Sequence, residues 1–144
     1  MEYKRLYKIE ADQITDCINL IQSFINKANE YEGDVFQIYN EMLANLKDGY
    51  VFGMVHDGCL LGLCSVHVFK IHNILKTAYV HFISIDDWVY GAEQVKEFIS
   101  FAINEGKKDG IENIMFNTRR NWKAFKRFLP GKWEKDSVTL KLCV

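Results

Sequence analysis

Little punctuates this chain. A single proline, Pro130, and nine glycines are spread over 144 residues, with no low-complexity tract and no internal repeat. Disordered, collagen-like and repeat architectures are therefore not indicated. Cys17, Cys59, Cys64 and Cys143 form no C-x-x-C pair, and His56, His67, His72 and His81 show no H-x-x-x-H or Cys/His ligand spacing. A zinc site is not expected, and reduced thiols packed as small hydrophobes are the simpler reading. No apolar run approaches the roughly 20 residues that cross a bilayer. The N-terminus MEYKRLYKIE lacks the apolar core of a signal peptide. The expectation is a cytoplasmic chain without a membrane partner. Net charge is also small, at −1.

What is present is a composition 49% hydrophobic and 26% charged, in a length suited to one core. A single domain over residues 1–144 is expected. Charge is uneven along it: Glu10 to Asp48 holds eight acidic residues against Lys27 and Lys47, and Arg119 to Lys135 holds seven basic residues against Glu134. A basic end can hold an anionic cofactor or a nucleic acid, or form a solvated helix face. With no nucleic-acid motif, a nucleic-acid partner ranks below the others.

Periodicity gives the elements. Tyr3 to Ile9 reads as a strand. Asp12 is placed to cap a helix with Ile14, Cys17, Ile18, Ile21 and Ile25 on one face, and a second helix carries Val35, Ile38, Met42, Leu43 and Leu46 before Gly49. Two β-type runs follow, joined by His56-Asp57-Gly58, whose Asp-Gly pair supplies the positive backbone angles of a tight hairpin. The segment KIHNILK reads as a loop leading to a strand from Thr77 to Ile85, so three strands form an antiparallel meander. From about Tyr90 the period changes to 3.6, with Val95, Phe98, Ile99, Ala102 and Ile103 on one face and Gly106 to Gly110 closing the helix. IENIMFNT is a strand, NWKAFKRFL a short helix and SVTLKLCV a closing strand.

The resulting order, β-α-α-β-β-β-α-β-α-β, is that of a mixed α/β domain. Together with the spacing from Thr77 to Phe128 it resembles the GNAT superfamily of acyl-CoA-dependent N-acyltransferases. In that family a turn of the form Arg/Gln-x-x-Gly-x-Gly/Ala follows the fourth strand and opens the next helix. With Ile85 at the strand end, Gly91 falls without a gap on the first, less strict glycine of the common R-G-x-G-x-G form. The same register puts Phe98-Ile99 on the usual leucine pair and Gly110 before strand five. Backbone N–H groups at such a helix start suit a pyrophosphate, and glycines let the backbone approach it. Here Tyr90 stands for the leading arginine, and Glu93 and Val95 for the later glycines. Glu93 reads equally as a first-turn residue interacting with the helix dipole.

The resemblance implies acetyl-CoA as co-substrate and an amine acceptor, either a small molecule or a macromolecule. It also implies strands four and five parallel and splayed, with the pantetheine arm beside Ile83, Ser84 and Ile85. The pyrophosphate would then lie on the amides of Tyr90, Gly91, Ala92, Glu93 and Gln94. Amine acylation needs a proton acceptor, because only a neutral amine attacks, and it gains from an acid for the departing thiolate. His81, four residues before Ile85, is the candidate base, and strand alternation places it with Tyr79, Ile83 and Ile85. A packed strand histidine is the plainer alternative. Near the last short helix the family has Asn-x-x-Ala-x-x-Phe-Tyr with the tyrosine as acid. This chain matches at Asn121 and Ala124 but has Phe128 at the tyrosine position, so water, Tyr79 or Tyr90 must serve, or the thiolate leaves unprotonated, as its acidity allows.

Tyr31, Phe36 and Tyr39 are candidates for the acceptor-side wall or for core. Arg119, Arg120, Lys123, Lys126 and Arg127 are candidates for the ribose phosphate. The stretch RRNWKAFKRFLPGKW resembles compact phage-encoded members of the family. A homodimer is compatible with the sequence. Two rivals stand beside the transferase: a GNAT-like module that has lost catalysis, and a different α/β domain with the same element order. The discriminator for the second is the join of strands four and five, which the GNAT fold requires parallel and splayed at one end; strands paired throughout would remove the cofactor site.

Overall fold

The computed structural model describes residues 1–6, 11–27, 35–86, 91–116 and 142. Along the chain these form β1 (Glu2–Arg5), α1 (Ala11–Lys27), α2 (Val35–Asp48), β2 (Tyr50–His56), β3 (Cys59–Ile71), β4 (Leu75–Ile85), α3 (Ala92–Lys108) and β5 (Asn113–Phe116). The strands make one mixed sheet in the order β1-β2-β3-β4-β5. All neighbours are antiparallel except β4 and β5, which run parallel, with Thr77 opposite Asn113 and Val80 opposite Phe116. The parallel run of β4 and β5 is the one the resemblance requires. The short helix and closing strand expected after Asn117 fall outside the described residues, apart from Leu142.

Each face of the sheet buries its own helices. Cys17, Leu20 and Ile21 of α1 and Ile38 and Met42 of α2 pack on Val51, Val55, Leu63 and Phe82. Phe98 of α3 packs on Phe52, Cys64, Val66 and Ala78 across the other face. The buried stripes are narrower than the periodicity alone implies: Ile18 and Leu43, expected inside, are exposed. Cys17 and Cys64 are buried as expected, whereas Cys59 is exposed beside the hairpin turn.

The Asp57-Gly58 turn is present, with positive φ at both residues (49° and 78°). The expected loop KIHNILK is not a loop. β3 continues to Ile71 and β4 begins at Leu75, joined by a tight turn in which His72 and Asn73 take positive φ (53° and 59°). Asparagine tolerates that region, so the pair does the work of Asn-Gly without a glycine. Helix α1 begins at Ala11, which puts Asp12 in its first turn rather than at its cap; Asp12 Oδ1 accepts a hydrogen bond from the Gln13 amide at 3.0 Å. Gly49 follows α2 because of space and not angle: a Cβ there would collide with the Val66 carbonyl oxygen.

Candidate active site

The upper part of β4 departs from regular alternation. Ser65 of β3 pairs with Phe82 and the next residue, Val66, with Val80, so His81 is left as the extra residue of a β-bulge. Val80 then faces α3 while Phe82 faces α1 and α2, although they are two residues apart. His81 turns to the α2 side, away from Ile83 and Ile85, which pack with the α3 face. This corrects the alternation that grouped His81 with Ile83 and Ile85: a bulge shifts every later residue by one face.

On the α2 side His81 meets a polar group set into the core. Buried Asn45 of α2 donates from Nδ2 to Ser65 Oγ at 2.8 Å, and the same nitrogen lies 3.3 Å from His81 Nδ1. Glu41, one turn earlier on the helix, brings Oε2 to 2.8 Å from His81 Nε2. The approach is short but off the ring N–H axis, so it is a close polar contact without an aligned hydrogen bond. The His81 side chain is 11% exposed and that of Glu41 46%, so the carboxylate is the outward member of the pair. Burial lowers the His81 pKa below the ordinary imidazole value. The Glu41 charge and the Ser65 backbone carbonyl oppose that shift, and His67 adds to it. Below the His81 ring, the Ser84 hydroxyl lies 3.5 Å from the Leu20 carbonyl of α1, so Ser84 also faces the α1 side.

The other component is the start of α3. Gly91 is its N-cap, with an ordinary extended φ of −126° and no side-chain cap hydrogen bond. The first bond within the helix is from the Val95 amide to the Gly91 carbonyl, 3.1 Å. The amides of Ala92, Glu93 and Gln94 precede it and have no partner within the helix. Glu93 is exposed, consistent with a first-turn residue directed to solvent. A Cβ at Gly91 would meet the Gln94 side-chain amide, the end of a flexible exposed side chain that can move aside, so space does not demand glycine there.

Of the sequence-derived candidates, His81, Ile83, Ser84 and Ile85 lie on the last five residues of β4, but on two faces. Gly91, Ala92, Glu93 and Gln94 form the helix start. Tyr90, Asn121, Phe128, Tyr31 and the basic group from Arg119 to Arg127 lie outside the described residues. Phe36 is 75% exposed and is no part of the core. Glu41 and Asn45 were missed. Asn45 had a signal: it falls seven residues after Ile38 and three after Met42, so a polar side chain occupies a core position of α2. Glu41 had none. Among the described residues no group of His, Cys, Asp and Glu can hold a metal, and no helix is long and apolar enough to cross a membrane.

With a bulged fourth strand, a parallel fifth and a helix opening after Ile85, the chain has the fold of the GNAT acetyltransferases. No protein-family profile matches the sequence, and no curated protein sequence matches it either. Solved structures match over nearly the whole chain. An aminoglycoside acetyltransferase from an uncultured soil metagenomic sample, solved with sisomicin, superposes with a TM-score of 0.72 at 16% identity, covering 99% of this chain and 95% of that one. A predicted acetyltransferase from Clostridium acetobutylicum, solved with acetyl-CoA, gives 0.72 at 10% identity over 97% and 95%. A ribosomal-protein-alanine N-acetyltransferase from Brucella melitensis gives 0.66 at 15% identity over 97% and 100%. None of these three supports a particular kinship with phage-encoded members.

Proposed function

We propose that this protein is an N-acetyltransferase that moves the acetyl group of acetyl-CoA to an amine by direct attack. The observation that carries the reading is the start of α3, the next described element after β4, with no side-chain cap hydrogen bond and three amides unpaired within the helix, where an anion is stabilised. In this reading Ile83, Ser84 and Ile85 flank the pantetheine arm. The amides of Gly91 to Gln94, with Tyr90, hold the pyrophosphate, and Asn121 and Phe128 border the cofactor. Two of the neighbours above are solved with acetyl-CoA and with an amine-bearing antibiotic, which supports the same pairing of substrates. The acceptor's ammonium loses a proton and its neutral nitrogen bonds to the thioester carbon. The C–S bond then breaks, and the nitrogen's second proton passes to the CoA thiolate.

Thermal unfolding tests this directly. Acetyl-CoA at about a hundred times its Kd stabilises the folded state by about 2.7 kcal/mol, an upward Tm shift on the order of 10 °C for a domain of this size. No shift at millimolar acetyl-CoA would sink the reading. One observation favours a GNAT-fold module without catalysis: Gln94 Oε1 occupies the open face of Gly91. That module predicts no shift, so the same measurement separates the two.

A further inference from the structure

Both nitrogens of the His81 ring are faced by protein groups. Glu41 Oε2 lies 2.8 Å from Nε2, off the N–H axis, and a carboxylate at that distance favours hydrogen on Nε2. Asn45 Nδ2, held by its bond to Ser65 Oγ, lies 3.3 Å from Nδ1. With its side chain 11% exposed, the ring presents no open nitrogen to an incoming amine, whereas the Glu41 carboxylate is 46% exposed.

We infer that Glu41, and not His81, is the proton acceptor of the acetyl transfer, with His81 and Asn45 as positioning residues that hold its carboxylate. This rests on the transferase reading above. The acceptor's ammonium gives one proton to the Glu41 carboxylate, and the neutral amine attacks the thioester carbon. The C–S bond breaks, the amide nitrogen sheds its second proton to the thiolate, and Glu41 releases the first to solvent. The net change is ammonium plus acetyl-CoA to amide, CoA thiol and one proton. Glu41 is the exposed member of the pair, so it can meet both a bulky acceptor and water. The charged or titratable groups acting on the ring are Glu41 from α2 and His67 from β3.

The test has two arms that fail separately. Long-range proton–nitrogen NMR of the intact protein reads the tautomer without any activity. The expected result is hydrogen on Nε2 at neutral pH, on the nitrogen that the Glu41 carboxylate faces. Asn45→Asp raises the His81 pKa. Hydrogen on Nδ1 would overturn the inference and leave the transferase reading untouched. Acetyl transfer from acetyl-CoA is then measured to spermidine, an aminoglycoside and an alanine-initiated peptide. Glu41→Gln lowers kcat/KM by about a hundredfold or more, and the loss shrinks about tenfold per pH unit as free amine accumulates. A purely structural role would leave a loss that does not change with pH. Full activity in Glu41→Gln would overturn the assignment. A wild-type protein that acetylates none of the three would overturn the transferase reading and Glu41's role with it, while the tautomer result would stand. Glu41 is a surface helix residue, so the variant is expected to fold.

Discussion

Tyr50 illustrates how one side chain can tie three elements. Its hydroxyl donates to Asp109 Oδ2 at 2.6 Å, at the C-terminal cap of α3, and the Arg5 guanidinium lies over its ring with the carbon 4.3 Å from the centroid. Arg5 also reaches the same carboxylate at 3.4 Å and the Gly49 carbonyl at 3.2 Å. Burial, and then the Asp109 hydrogen bond, push the Tyr50 phenol up to about 12. The folded state thus prefers the protonated phenol. Its contribution is complete below the unfolded value of 10.0 and is lost as pH rises towards 12. Urea unfolding of wild type and Tyr50→Phe should show the wild type losing more stability than the variant between these pH values. Equal slopes would refute the coupling. Tyr3, held up to about 12 by burial and Glu97, adds a similar loss to both proteins and cancels from the comparison.

The β4 strand separates folding from chemistry. His81 is an insertion into an otherwise regular ladder, and without it Val80 and Phe82 would be consecutive residues already facing opposite sides. Deleting His81 is expected to leave a folded sheet, at a cost of no more than about 2 kcal/mol, and to abolish acetyl transfer. Circular dichroism with a urea melt reads the first, and an unfolded chain would show that the bulge is structural. The bulge also marks the limit of what the sequence discloses. Helix positions such as Cys17, Ile38 and Phe98 repeat every three or four residues, and the Asp57-Gly58 turn carries its own chemistry, so both are local and legible. The partners of His81 are not, because Asn45 and Glu41 lie 36 and 40 residues away on another element. Nothing in VHFISI announces that the alternation breaks at its second residue. The His72-Asn73 turn was missed for a related reason: neither residue is glycine, and its conformation is imposed by the strands on either side.

Across the whole molecule, protection should follow the sheet's centre. β2 is buried from Tyr50 to Val55 and β3 from Leu60 to Val66, whereas β1 and β5 are four-residue strands with partly exposed positions. Hydrogen exchange should be slowest at the amides of Val51 to Val55 and Leu61 to Val66, approaching the rate of global unfolding. Slowest exchange in β1 or β5 would contradict this. The strand order has a further consequence. Because β1-β2-β3-β4-β5 is also the order of synthesis, each described strand leaving a ribosome finds its neighbour already made, and among the described strands none waits long for a distant partner. Glu41, Asn45, Ser65 and His81 can therefore assemble on the nascent chain before α3 exists. In the proposed transferase, the acceptor side of the site is born first, and the anion-holding side is added to it.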